Sequence, residues 1–256
     1  MTDQSLFEHA GQGPAVMLVH AGIADRRMWH SYLPWLVAQG HHAIAPDLPG
    51  FGEHALTADP PAPWDHLRDV LDDLAVDRAV VVGCSFGGAA ALRLAVTAPE
   101  RVQGLVIMSA PAPGLEPSPH LQAAWAAEGE ALERGDLDAA TDAVVAAWLA
   151  PDAPAELRDL VAAMQRRAFE LDPDGSMPEP PDPLGGHPER LRAVDVPALV
   201  TAGERDMPDF LWSARELAEA LPQATHHVIA GAGHLAPLET PDTVRRLLGD
   251  FLAAVD

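Results

Sequence analysis

The chain has 256 residues, 48% of them apolar, and a formal net charge of −22 from 16 basic and 38 acidic side chains. That suffices for one sizeable core, and the acidity sets the chain against nucleic acid and anionic membrane surfaces. A lone cysteine, Cys84, excludes an internal disulfide and a thiolate metal cluster, and the absence of lysine excludes Schiff-base chemistry and a P-loop.

No run of about 18 apolar residues occurs, so no membrane span is expected. The opening "MTDQSLFEHA" carries an early acid and no apolar h-region, unlike a signal peptide. Together with the unpaired cysteine this makes the cytoplasm the expected location. The expected partner is a small-molecule substrate, not nucleic acid or a membrane, with the oligomeric state left open.

In chain order, "SLFEHA" and "AVMLVH" flank "GQGP", which predicts a hairpin. "HHAIAPD" predicts a short strand running into "LPGFG". "WDHLRDVLDDLAV" carries Leu67, Val70, Leu71 and Leu74 at helical spacing. "AVVVG" then reads as a buried strand, "FGGAAALRLAVTA" as a helix and "VQGLVIMSA" as another buried strand. Continuous apolar runs alternating with helices imply a parallel sheet covered on both faces.

The alternation breaks near residue 111. Ser118 followed by Pro119 is a helix start, and "HLQAAWAAEGEALERG" stops at Gly135. "LDAATDAVVAAWLA" stops before Pro151, and "PAELRDLVAAMQRRAFEL" begins a third helix near Pro154. "DPDGSMPEPPDPLGGHPER" is too rich in proline for a strand or helix interior. Residues 112–193 are therefore expected to form a helical insertion with its return linker, and 1–111 with 194–256 the core. The alternation resumes with "VPALVTAG", "DFLWSARELAEALP", "THHVIAG" and "PDTVRRLLGDFLAAV".

The chemistry centres on "VVVGCSFGG". Gly83, Ser85 and Gly87 match G-x-S-x-G in a strand–turn–helix setting. Glycines permit a sharp turn that lifts the serine above the sheet edge, and the free amides of the next helix suit a developing negative charge. The bland alternative is a tight turn with an idle serine. Serine is a weak nucleophile unless a base takes its proton, so a histidine held by a carboxylate must come from elsewhere. "ALVTAGERD" puts Asp206 beyond the end of one late strand, and "HHVIAGAGHLAPLE" puts His234 beyond the next. Parallel strands bring their C-terminal ends to one edge, where Ser85, Asp206 and His234 can converge. Asp209 competes with Asp206, with capping of the following helix as its other role. Asp47 is expected to brace the "DLPGFG" turn, and Cys84 to pack.

With "LVHAGIADRRMW", "PDLPGFG", "GCSFGG", "GERD" and "GAGHLAPLE" in this order, the chain resembles the α/β-hydrolase superfamily. Within it, the similarity is to lidded bacterial esterases, enol-lactonases and cofactor-free haloperoxidase-like enzymes. The resemblance implies an α/β-hydrolase fold, a mostly parallel doubly wound sheet whose helical lid is inserted after the strand near residues 103–109. It implies that Ser85 is the nucleophile, His234 the base and Asp206 the acid, with no metal or organic cofactor. His20 and Ala21 depart from the usual His-Gly. The next residue, Gly22, aligns with an amide of the oxyanion hole, or Ile23 if the alignment slips by one, and His20 would shape that loop. The second amide is that of Phe86. Trp29, Trp125, Trp148 and Leu235 are candidate substrate contacts, although lid residues such as Trp125, Trp148, Met164 and Phe169 can equally be core. The implied activity is hydrolysis of a small, apolar carboxylic ester or lactone through an acyl-enzyme. The same triad also serves C–C bond hydrolysis, thioester hydrolysis and perhydrolysis, and the fold also serves non-catalytic ligand binding.

Overall fold

The computed structural model describes residues 6–173, 175 and 180–255. Residues 1–5, residues 174 and 176–179 of the proline-rich stretch, and residue 256 lie outside them. Six strands run parallel: β2 (Ala15–Val19), β3 (His42–Pro46), β4 (Ala79–Cys84), β5 (Val102–Met108), β6 (Ala198–Gly203) and β7 (Ala224–Ile229). β1 (Phe7–Ala10) completes a sheet of order β1-β3-β2-β4-β5-β6-β7.

The expected hairpin at "GQGP" does not form. β1 pairs antiparallel with β3, Phe7 opposite Pro46 and Ala10 opposite Ala43, and never touches β2 as a partner. The reason lies in burial. All five residues of β2 are buried, so parallel neighbours occupy both its edges, whereas half-exposed β1 suits the sheet margin. Gly11 and Gly13, both at positive φ, carry the chain across the β3 entrance, where a Cβ on either would strike a main-chain carbonyl.

Helices cover both faces, and strand periodicity sorts the two cores. Met17, Val81, Leu105, Ile107 and Val200 face α2 (Pro63–Asp73), α3 (Phe86–Thr97) and α7 (Pro208–Ala220). Their alternates Val16, Leu18, Val80, Val82 and Val106 face α1 (Leu33–Ala38) and α9 (Pro241–Val255). Two short helices were not legible in the sequence, α1 and α8 (Ala236–Glu239), because at 6 and 4 residues neither spans enough turns to show a period.

The insertion after β5 holds α4 (Pro119–Glu133), α5 (Leu137–Trp148) and α6 (Ala155–Leu171), a helical lid. Ser118 caps α4 by accepting from the Leu121 amide, and Asp136 caps α5 by accepting from Ala139. Leu121, Val144, Trp148 and Phe169 pack with Met207 and Phe210 at the start of α7. The lid thus shares an apolar seat with the loop after β6. On its far side α6 reaches the core through Arg167, whose Nε donates to the Gly52 carbonyl at 3.1 Å.

Within α2, His66 is buried beside the ring of His54, 4.5 Å between centroids, with no partner for its Nε2. Burial, reinforced by His54, pushes its pKa down to about 4 from 6.5. The unfolded chain takes up this proton near pH 6.5 and the folded chain only near pH 4. Its contribution is therefore complete above about pH 6.5 and is lost as pH falls towards 4, about 3 kcal/mol in all. Urea unfolding at about pH 7 and about pH 4.5 is expected to show a smaller acid-side loss in His66→Phe than in the wild type. An equal loss in both would remove His66 as the cause.

Candidate active site

β4 delivers Ser85 into a turn with φ +52° and ψ −116°, a conformation that L residues rarely adopt. The turn is held by the Ser85 amide donating to the Met108 carbonyl at 2.8 Å and by Ala89 N–H donating to the Ser85 carbonyl at 3.0 Å. Its glycines are sterically required. A Cβ on Gly83 would meet the Gly88 Cα at 2.6 Å, and one on Gly87 would strike the carbonyls of Val19 and His20. These obstacles are backbone and cannot rotate away. Gly87→Ala is expected to cost about 1–3 kcal/mol and to displace the elbow from the His20 loop. A denaturation midpoint and the activity of the remaining folded protein check this, and wild-type values for both would refute it.

Above this turn the ends of β6 and β7 meet. His234 Nε2 lies 2.9 Å from Ser85 Oγ, and His234 Nδ1 lies 3.0 and 3.2 Å from the two carboxylate oxygens of Asp206. Asp206 Oδ1 also accepts the Met207 amide at 2.8 Å, and both residues are buried. A carboxylate can only accept, so Nδ1 carries the proton and Nε2 is left to accept from the serine hydroxyl. Gly203 allows the two loops to touch, since a Cβ there would strike the Ala232 and Gly233 carbonyls. Glu239 accepts the Gly233 amide and so braces the His234 loop from below.

Asp209 is elsewhere. It does not cap α7, whose N-cap is Met207 without a side-chain bond. Its two oxygens instead accept the amide and the hydroxyl of Ser118, at 2.7 and 2.8 Å, fastening the start of α4 to α7.

The loop after β2 lies against the elbow. Ala24 N–H donates to the Ala21 carbonyl at 3.0 Å, closing a turn that leaves the amides of Gly22 and Ile23 unused by it. A Cβ on Gly22 would sit 3.3 Å from the Phe86 Cβ, so this turn adjoins the N-terminus of α3, where the Phe86 amide is one of the free helix donors. His20 locks the loop. Its Nε2 accepts the Leu48 amide at 2.9 Å, which leaves Nδ1 to donate to the Ala21 carbonyl at 2.8 Å. Burial lowers its pKa against the pull of Asp47, in keeping with a neutral ring. Asp47 accepts from the amides of Arg26 and Glu53, at 2.9 Å each, and so braces the "DLPGFG" turn and the preceding loop together. Cys84 is buried, and burial raises its thiol pKa far above the ordinary range.

Ser85 and His234 open on a cavity of about 550 Å³ roofed by Leu121, Trp125 and Trp148 of the lid. Its charged groups are few. Arg93 is engaged by Asp182, Nε and Nη2 donating to the two carboxylate oxygens at 2.8 and 2.6 Å. Glu128 also lines it, its carboxyl pKa raised by burial. Two expected substrate contacts are corrected. Trp29 and Leu235 are both 0% exposed and lie in the core beneath the loops, Trp29 edge-on to Tyr32 at 5.2 Å. Trp125 is 47% exposed at the cavity rim, and Trp148 is buried within it. Sequence reasoning missed Phe210, which lies in a segment read only as a helix, and the Arg93–Asp182 pair, which carries no local signal. Among the described residues no group of three or more His, Cys, Asp or Glu side chains is placed to hold a metal ion, and no helix is long and apolar enough to cross a membrane.

Residues 16–247 match the alpha/beta hydrolase family. The chain belongs to that family. As an α/β hydrolase it is 34% identical, over 96% of its own length and 89% of the other's, to a 2-hydroxymuconate semialdehyde hydrolase of Pseudomonas sp. strain CF600. Among solved structures, the hydrolase superposes on a thermophilic esterase from Thermogutta terrifontis with a TM-score of 0.80 at 26% identity, covering 97% and 93% of the two chains. It superposes on a meta-cleavage product hydrolase from Pseudomonas fluorescens IP01 with a TM-score of 0.76 at 25% identity, covering 98% and 94%. The expected fold and superfamily both hold for this hydrolase.

Proposed function

We propose that the protein is a serine hydrolase that cleaves a small, mostly apolar carboxylic ester or lactone through an acyl-enzyme. The observation that carries this reading is the hydrogen-bonded chain from Ser85 Oγ through His234 to Asp206, opening on a lid-covered cavity. Ser85 Oγ attacks the carbonyl carbon while His234 Nε2 takes its proton. Asp206 stabilises the imidazolium and keeps its proton on Nδ1. The oxyanion lies against the Phe86 amide and that of Gly22 or Ile23, each such donor contributing about 3–4 kcal/mol in comparable sites. His234 then protonates the leaving alcohol. Water, deprotonated by His234, releases the acid and restores the serine. Residues 112–193 act as the unit that covers the substrate, and no cofactor takes part.

The charge inventory favours a neutral substrate. Arg93 is already engaged by Asp182, and Glu128 adds acid, so an anion entering this cavity would meet no uncommitted cation among its described lining residues. A second reading, C–C bond hydrolysis by the same serine and histidine, draws on the relatives. Two of them, at 34% and 31% identity, are named as 2-hydroxymuconate semialdehyde and 2-hydroxy-6-oxo-2,4-heptadienoate hydrolases. A panel of p-nitrophenyl esters and lactones of graded size, measured beside 2-hydroxymuconate semialdehyde, tests the two. Higher kcat/KM on the esters or lactones upholds the proposal. Higher kcat/KM on the semialdehyde reverses it in favour of the second reading, and turnover of none overturns both.

A further inference from the structure

Both nitrogens of His234 have partners at the two ends of the ring, and those bonds make no contact with its faces. Nδ1 lies 3.0 and 3.2 Å from the two Asp206 oxygens, and Nε2 lies 2.9 Å from Ser85 Oγ. The terminal torsion of histidine is itself broad. Two aromatic rings lie against the imidazole. Trp148, the last residue of lid helix α5, has its ring centroid 4.5 Å away at an interplanar angle of 49°. Phe210, in the first turn of α7, is 4.4 Å away at 62°. The two rings also contact each other, 5.7 Å between centroids, and both are buried.

We infer that Trp148 is a positioning residue for the His234 base: with Phe210 it clamps the imidazole towards Ser85, so that the reaction centre is complete only while α5 is seated. The inference rests on the ester-hydrolase reading for its kinetic consequence and on geometry alone for the clamp. Trp148 belongs to the apolar seat that joins the lid to Met207 and Phe210. That junction is fastened a few residues away by Asp209 and Ser118. An aromatic face at this range also suits the charge that develops, since the face of the ring quadrupole is negative and the imidazole becomes an imidazolium in the transition state. The lid is then more than a wall against the substrate, because its departure would free the base as well as open the cavity.

The test compares Trp148→Leu, which removes the ring, with Trp148→Phe, which keeps one. The substrate is p-nitrophenyl acetate, small enough to draw little on the cavity wall, and active sites are counted with a fluorophosphonate. Trp148→Leu is expected to lower kcat by about tenfold or more with KM changed by no more than about twofold, and Trp148→Phe to recover most of it. An NMR readout is independent of turnover. In protein with 15N-labelled histidine, the downfield His234 Nδ1 proton, which reports the bond to Asp206, is expected to broaden and to exchange faster with water in Trp148→Leu and to stay sharp in Trp148→Phe. If Trp148→Leu does not fold, Phe210→Leu removes the other ring and carries the same expectation. An Nδ1 proton that stays as sharp as in the wild type with unchanged kcat overturns the clamp, as does an equal loss in the Leu and Phe variants. A change in KM alone would reduce Trp148 to a wall of the cavity. If the wild type hydrolyses no ester, the functional reading fails, and the resonance still decides whether the clamp exists.

Discussion

Ser85→Ala is expected to lower ester turnover by about 10⁶, to the level left by binding and oxyanion contacts alone, while leaving the fold unchanged. The contrast has a structural cause. Among the described residues Ser85 Oγ hydrogen-bonds only His234 Nε2, so no main-chain hydrogen bond of the elbow depends on it. The turn itself is maintained by the Ser85 backbone and by Gly83 and Gly87, which the variant keeps. A fluorophosphonate should add once to the wild type, at Ser85, and not to the variant. The nearby competitors are poor nucleophiles for physical reasons. Ser109 is fully buried and has no partner that could take its proton, and the Cys84 thiol is held protonated by burial. Intact mass and peptide mapping read the result. Adduct formation at Ser109 or Cys84, or full turnover by Ser85→Ala, would remove Ser85 from the role assigned to it.

The second large effect separates two aspartates three positions apart. Asp206→Asn is expected to lower kcat by about 10⁴. Asp206 Oδ1 accepts both the Met207 amide and the His234 Nδ1 proton. An asparagine that keeps its oxygen on the Met207 amide can turn its NH₂ towards Nδ1. The imidazole then carries its proton on Nε2 and can no longer accept from Ser85. Asp209→Asn acts at another place and in another way. One of its two bonds to Ser118 is lost or inverted, which costs about 1–3 kcal/mol of stability because the acceptor was charged. The catalytic chain does not run through it, so kcat should fall by less than about tenfold. Thermal unfolding and steady-state kinetics on the same two variants decide the matter. A dead but stable Asp209→Asn beside an active Asp206→Asn would exchange the roles.

The two aspartates also show what kind of information a chain carries on its face. Ser85 was legible because its demand is local: a strand, a turn that only flanking glycines permit, and a helix start lie within nine residues, "VVVGCSFGG". Asp206 and His234 were legible because parallel strands share one C-terminal edge, so a carboxylate and a histidine each placed just beyond a late strand must end near one another. The lid helices announced themselves through Ser118, Pro119, Gly135 and Pro154, since caps and breakers act within a single turn of backbone.

What only the tertiary structure decided are the relations between distant surfaces. "GQGP" has the composition of a hairpin turn, yet β1 crosses to β3 because fully buried β2 already has a parallel neighbour on each side. Trp29 and Trp148 look alike as residues beside helices, but one is sealed beneath the loops against Tyr32 and the other stands against the His234 ring. Phe210 lies in a segment that reads only as a helix, and Arg93 meets Asp182 from 89 residues away. Periodicity states which side of an element is withdrawn from water. It does not state which partner that side meets, because burial rewards any apolar contact about equally. The identity of the partner follows from how lid, sheet and loops fill space together, and that is settled by close packing of the whole chain.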